Sequence, residues 1–468
     1  MKKIKIVATI GPKTSSENYI LKLGKAGVDI FRLNGSHNTL KWHANIIKRI
    51  RKVCYDKPIL FDVPGRKVRT KNISADILIK KNKIYHFSEK SKENCINVTN
   101  LIFFDLLKKN QVIYADDGTL SFKVISVNKN KKIASIKALN DGHLKNSKGI
   151  NIPGSDYKGS KLNKRDYEYL SFSKNSGVDF VGISFVENAK HINTIKKFIG
   201  DNPKIVSKIE SVAGMKNLTE IVIESDCLMI DRGDLSIETL DNSIALSQKK
   251  IIHISNTFCK PVIIATELLN NMIENRFPTR SEVSDIGNAV IDGASALMLS
   301  GETATGLFPV ETVTTMKQII EDTEKAISVK NNDSIKEKLI SPSAEAIELL
   351  CKNMNVSKVV AITRSGFAAR AISLRNLDVP IIAVSDDKKN SKSFNILPGV
   401  KGIFYTQKFQ KKNLDFFKKV LKFLFDNKHI VTKDKILVTA VAYPHSGNRM
   451  NLIQIHSVKD LKRVLNWK

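Results

Sequence analysis

The chain of 468 residues has little cysteine, and none of its five thiols (Cys54, Cys95, Cys227, Cys259, Cys351) stands at finger or redox-pair spacing from another. That pattern excludes a zinc ribbon or a dithiol switch and leaves reduced, mostly buried thiols. No run approaches about 18 uninterrupted apolar residues, so no membrane span and no membrane partner are expected. The first residues, Met1-Lys2-Lys3-Ile4-Lys5-Ile6, enter an apolar strand with neither a cleavable hydrophobic core nor an Arg/Ser-rich leader, so a cytoplasmic location is the expectation. No glycine-rich Walker loop or dinucleotide fingerprint is present.

Acidic residues are also in deficit, 46 against 76 Lys and Arg, which gives a formal net charge of +30. The lysines are spread along the chain and are not gathered into a tail with interleaved aromatics. The charge therefore describes the surface, no nucleic-acid partner is expected, and a positive field should draw anionic substrates. Apolar content of 42% and charged content of 26% fit a soluble globular protein. The length exceeds what one core holds, so two or three domains are expected.

Eight short β-rich runs, each leading into a helical period, mark the first and middle thirds: Ile4–Ala8, Ile30–Leu33, Ile59–Asp62, Phe180–Ile183, Ile205–Lys208, Leu228–Ile230, Val262–Ala265 and Ala296–Leu299. Eight β/α units predict a closed parallel (β/α)8 TIM barrel. Between the third and fourth units lies a stretch of short strands and turns, with strands predicted at Ile77–Ile79, Gln111–Tyr114, Ser121–Val127 and Ile133–Ala138. This small all-β insertion sits at the catalytic end of a barrel, where it can act as a lid. A restart after residue 330, with strands at Val359–Thr363, Ile381–Ser385, Gly402–Tyr405 and Ile436–Val441, predicts a C-terminal open α/β domain. The expected division is 1–70 and 154–330 for the barrel, 71–153 for the lid and 331–468 for the last domain.

Polar residues follow the apolar runs at Arg32, Asn34, Asp62, Lys208, Glu210, Asp234, Thr266 and Ser300. A barrel brings strand ends from distant units onto one face. Any single member also reads as the cap of the next helix. Glu210 and Asp234 are hard oxygen donors of the kind that suits Mg²⁺.

Arg32-Leu33-Asn34-Gly35-Ser36-His37, Ser207-Lys208-Ile209-Glu210-Ser211, Arg232-Gly233-Asp234-Leu235, Pro278-Thr279-Arg280-Ser281-Glu282, Met298-Leu299-Ser300-Gly301-Glu302-Thr303-Ala304 and Lys148-Gly149-Ile150-Asn151-Ile152-Pro153-Gly154 closely resemble the pyruvate kinase family. The resemblance runs in order through nearly the whole chain and weakens in the insertion and the last domain. It implies transfer of the phosphoryl group of phosphoenolpyruvate to ADP, giving pyruvate and ATP in glycolysis, with Mg²⁺ (or Mn²⁺), by a homotetramer. Phosphoryl transfer is mostly positioning and charge stabilisation. The resemblance gives Lys208 and Arg32 the transferring phosphoryl, Glu210 and Asp234 the divalent ion, and the turn at Gly233 the substrate carboxylate. Thr266 is placed beside the methylene carbon of the enolate, where a water relay would complete proton delivery. Asn34, Ser36, His37, Arg69 and Lys148 match nucleotide contacts, and Asp117 of the insertion matches the lid residue that meets the metal–nucleotide.

The family's K⁺ ligands match Asn34, Ser36, Asp62 and the carbonyl of Val63. Lys67 stands where a glutamate is usual, and an ammonium reaching toward that site would replace K⁺; the alternative is a side chain in solvent. Asp231 replaces a usual alanine, Glu187 a usual arginine and Glu267 a usual glutamine, each adding negative charge near an anionic substrate. Thr363-Arg364-Ser365-Gly366 resembles the effector loop of regulated members and equally fits ordinary helix capping. Two other readings stay open: a catalytically weak regulatory paralogue, or a basic RNA-binding protein.

Overall fold

A computed structural model describes residues 3–65, 67–89, 95–100, 102–116, 118–155, 162, 164–239, 243–330, 342–409, 415–441 and 450–467. All eight expected strands form one closed parallel barrel: Lys5–Thr9, Ile30–Asn34, Ile59–Val63, Phe180–Ile183, Lys204–Ile209, Cys227–Asp231, Val262–Ala265 and Ala296–Leu299. Each pairs with its neighbours in chain order, and the eighth closes on the first through Lys5 opposite Ala296. The runs read as nearly continuous apolar sequence because both faces are covered. One set of side chains packs outward on the helices, among them Ile6, Phe31, Phe61 and Ile230. The alternate set, including Val7, Ile30, Leu60, Phe180, Val206, Met229 and Ile263, fills the interior.

The insertion is itself a closed barrel of seven strands, in the order Ile133–Ala138, Ile84–Ser88, Cys95–Val98, Val68–Lys71, Gly149–Asn151, Val112–Ala115 and Leu120–Asn128. Phe87, Phe103, Phe104 and Phe122 fill it. A separate ribbon pairs Ile77–Ile79 with Gly142–Leu144. Sequence periodicity marked four strands here and missed the others, which are short or one-sided.

The last domain is a five-stranded sheet in the order Val400–Phe404, Ile381–Ser385, Lys358–Ile362, Lys435–Ala440 and Leu452–Ser457, with only the last strand antiparallel. The helix Asp415–Asp426 packs Phe417, Val420, Leu421 and Leu424 against it. This domain docks on the barrel's N-terminal end, where Lys5 Nζ donates to the Val400 carbonyl (2.9 Å) and Gly399 N to the Lys3 carbonyl (2.9 Å). The opposite, C-terminal end of the barrel is thereby left to the lid. Among the described residues, no helix is long and apolar enough to cross a membrane.

Candidate active site

The interior face of a barrel strand repeats every second residue. Carried to the strand ends, that period turns from apolar to polar or charged: Val7 leads to Thr9, Ile30 to Arg32 and Asn34, Leu60 to Asp62, Val206 to Lys208 and Glu210, and Cys227 through Met229 to Asp231. The side chains meet as that register requires. Arg32 straddles Asp62 Oδ2 with Nε (2.8 Å) and Nη2 (2.7 Å), and its Nη1 donates to Thr9 Oγ1 at 3.1 Å. Asp62 fits only because strand four places Gly182 opposite it; a Cβ there would overlap the carboxylate.

Lys208 Nζ lies 2.7 Å from Glu210 Oε1 and 3.1 Å from Asp231 Oδ2, with all three side chains buried. Burial alone would lower the Lys208 pKa. Glu210, Asp231 and Asp62 more than offset it and hold the ammonium well above its usual value. Burial pushes the Glu210 carboxyl upward against the pull of Lys208, with Asp231 and Asp234 adding to the rise. Glu210 Oε2 accepts from the backbone N–H of Phe185 at 2.6 Å, which fixes the carboxylate's plane. Asp231 is also raised by burial, but Lys208 and Lys67 reverse this and hold it below the usual carboxylate range.

Asp234 opens the first turn of helix Arg232–Thr239. It accepts from Asn151 Nδ2 (3.0 Å) on the lid and pairs with the ammonium of Lys67. Gly149 admits the Lys67 stem, where a Cβ would clash with it. Lys67 is therefore held inside the site and not in solvent, and its partner is the expected Mg²⁺ ligand Asp234.

Thr266, the residue after strand seven, lies in the left-handed region (φ +68°), followed by Glu267 at φ +55°. This backbone is costly for a β-branched residue and persists only where surroundings enforce it. Arg232 is the enforcing group: its Nη2 donates to the carbonyls of Thr266 (2.7 Å) and Glu267 (2.8 Å), its Nε to Thr266 O (3.2 Å), and its Nη1 pairs with Asp285 (2.6 Å). The Thr266 hydroxyl accepts from Gly233 N at 3.0 Å and donates to the Ala265 carbonyl at 2.6 Å. Gly233, Thr266 and Asp231 thus share one corner. Sequence reading treated Arg232 only as part of a turn; its anchoring role spans 34 residues and has no local signature.

On the lid side, Asn34 Oδ1 accepts from Ser36 N (3.0 Å), Arg69 Nη1 donates to the Ser147 carbonyl (3.1 Å) and Lys148 pairs with Asp116 (2.6 Å). His37 lies at the same rim, open to solvent on one side and with its ring partly covered. Burial of its ring and the charges of Arg69, Arg32 and Lys148 lower its pKa, so these residues share one electrostatic neighbourhood. Asp117 lies outside the described residues. The Ser300 hydroxyl makes no cap bond to the helix Gly301–Ala304 and is buried without a partner.

The donor set suits a divalent cation: one carboxylate oxygen from each of Glu210, Asp231 and Asp234 lies within 4.8 Å of the others. The fit to K⁺ is poorer. Asp62 Oδ1 is buried without a partner, but the Val63 carbonyl already accepts from Gly65 N (2.8 Å) and Ser184 Oγ (3.1 Å), and Asn34 Oδ1 is used by Ser36.

Residues 1–313 match the family model "Pyruvate kinase, barrel domain", and residues 343–456 match "Pyruvate kinase, alpha/beta domain". The chain belongs to the pyruvate kinase family. A pyruvate kinase of Bacillus licheniformis is 34% identical over 479 residues, covering 98% of this chain and 81% of the relative. Pyruvate kinases of Staphylococcus aureus, strains RF122 and MRSA252 among them, are 34% identical over 484 residues with the same coverage. Two of the departures from the family's usual residues enter the site, Lys67 on Asp234 and Asp231 on Lys208. Glu187 is buried 3% exposed, with its charge felt by Glu238, and Glu267 is exposed with its carbonyl tied to Arg232.

Proposed function

We propose that this pyruvate kinase homologue transfers the phosphoryl group of phosphoenolpyruvate to ADP, giving pyruvate and ATP. The observation that carries this reading is the Lys208 ammonium, held charged between Glu210 and Asp231 at the barrel mouth, beside Asp234 and the fork of Arg32. Lys208 and Arg32 grip the migrating phosphoryl and offset the charge that spreads over its oxygens. The N-terminal amides of the helix that opens at Arg232–Gly233 take the substrate carboxylate, that of Gly233 by sharing or leaving its bond to Thr266 Oγ1. Glu210 and Asp234 are the carboxylates that would hold Mg²⁺ (or Mn²⁺), which would supply charge neutralisation for the transferring phosphoryl group. Phosphoryl loss leaves an enolate whose methylene carbon takes a proton from water ordered by the Thr266 hydroxyl, which completes pyruvate.

The rim of Asn34, Ser36, His37, Arg69 and Lys148 receives the nucleotide, and the lid covers it. Lys67, seated on Asp234 and not on the K⁺ ligand set, brings into the site a positive charge in place of the one the family takes from K⁺, so activity without K⁺ belongs to this reading. The working form is a cytoplasmic homotetramer. A coupled assay of ADP-dependent pyruvate release with Mg²⁺ tests the proposal. The native chain should turn over, and Lys208→Ala should lose about 10²–10³-fold or more in kcat; a native chain that releases no pyruvate would refute it.

A further inference from the structure

We infer that Asp231 is a third carboxylate of the divalent-cation site, and that Lys67 is the counter-charge that makes a third carboxylate tolerable there. The inference rests on the phosphotransfer reading above and deepens its metal site. Asp231 points into the barrel by the same period that turns Met229 inward, and Lys208 sits in register with Met229, so Asp231 is one inward step beyond. Its oxygen lies within 4.8 Å of oxygens of both Glu210 and Asp234. Neighbouring ligands of an octahedral ion with bonds of about 2.1 Å are about 3 Å apart and opposite ones about 4.2 Å. Small side-chain rotations therefore bring all three oxygens onto one cation.

A second observation points to a cation at this spot. Asn151 is 1% exposed and spends its Nδ2 on Asp234, while its Oδ1 is buried with no partner. A hard, neutral oxygen left bare beside a carboxylate suits a cation or the water on one, and a buried acceptor with no partner costs free energy otherwise.

Charge counting links the two departures. With all three acids ionised, Glu210, Asp231 and Asp234 face Lys208 and Lys67, which leaves one net negative charge for the cluster. With a glutamate at 67 the same three acids would become four around a single lysine. The Lys67 ammonium sits on Asp234 and is felt by Asp231, so it offsets the carboxylate that replaced the usual alanine. The competing account is that Asp231 only anchors Lys208.

Asparagine separates the two, because it still accepts a hydrogen bond from Lys208 but carries no charge. Mn²⁺ is titrated into the full chain without substrate and followed by the electron paramagnetic resonance signal of free Mn²⁺. Asp231→Asn and Asp231→Ala should each weaken Mn²⁺ binding about 10- to 100-fold, and Lys67→Met should tighten it. Unchanged Mn²⁺ affinity in Asp231→Asn, or no Mn²⁺ binding by the native chain, overturns the proposal. If the alanine variant does not fold, the asparagine variant decides alone. Pyruvate release by the native chain is read separately, so a chain that turns over while Asp231→Asn binds Mn²⁺ normally loses this inference and keeps the proposed function.

Discussion

Replacing Arg232 by methionine removes a guanidinium that is 9% exposed and holds two backbone carbonyls in place. Hydrogen bonds from a charged donor contribute about 1.5–3 kcal/mol each, so losing those to Thr266 O and Glu267 O costs about 3–6 kcal/mol. The pair to Asp285 adds little, because that carboxylate is 35% exposed. Relaxation of the left-handed Thr266–Glu267 backbone, strained by about 1–3 kcal/mol per residue, returns part of the loss. The net expectation is about 3 kcal/mol of destabilisation, read as a lower urea midpoint. The same relaxation moves the Thr266 hydroxyl off Gly233 N, now 3.0 Å away. Misplacement of about 1 Å at a reacting centre costs about a hundredfold, so kcat for pyruvate release should fall by that order at saturating phosphoenolpyruvate. Arg232→Lys, which keeps the charge without the fork, should fall between. A methionine variant that loses stability but keeps its kcat would refute the idea that Arg232 sets the position of Thr266.

Two further outcomes follow from buried charge. Burial raises the Glu238 carboxyl from 4.5 to about 7, against the hydrogen bond from Gly154 N and with help from Asp234. The fold favours its neutral form, so the stability it contributes is full below pH 4.5 and is lost as pH rises through about 7. In metal-free protein, the advantage of Glu238→Gln over the native chain should therefore grow from about pH 5 to about pH 8, by up to about 3 kcal/mol; melting curves whose gap is the same at both pH values would contradict this. Phosphotransfer should proceed in buffer free of Na⁺ and K⁺. A rise on the order of a hundredfold or more when K⁺ is added would show that Lys67 does not supply that charge.

The main barrel was legible because its strands are buried on both faces and so read as unbroken apolar runs, such as Val262–Ala265. The lid's Gly149–Asn151 is three residues long, and Ile84–Ser88 alternates weakly with exposed Ile84 and His86, so neither carries a run to detect. The antiparallel edge Leu452–Ser457 is only partly buried, with Gln454 exposed, and carries no such run either. Within the site, Lys208 and Glu210 are two residues apart on one strand, and period two alone puts both inward. The same rule applied to Cys227, Met229 and Asp231 turns Asp231 inward toward Lys208 as well. Arg232 was out of reach, because its partners Thr266, Glu267 and Asp285 lie on other elements and only the closed barrel brings them together.

Two electrostatic scales then act in opposite directions. The chain's charge of +30 acts through solvent over about 8 Å at physiological salt, enough to draw phosphoenolpyruvate and ADP toward the surface but screened beyond that. At the mouth three cations are spent on carboxylates: Arg32 on Asp62, Lys67 on Asp234, Lys208 on Glu210 and Asp231. The buried cluster is left slightly negative, in a region where water does little screening. A surface that gathers anions thus surrounds a cluster whose own carboxylates outnumber its lysines. The same balance explains why an extra aspartate at 231 need not repel phosphoenolpyruvate: its charge is already divided between Lys208 and Lys67 before any substrate enters.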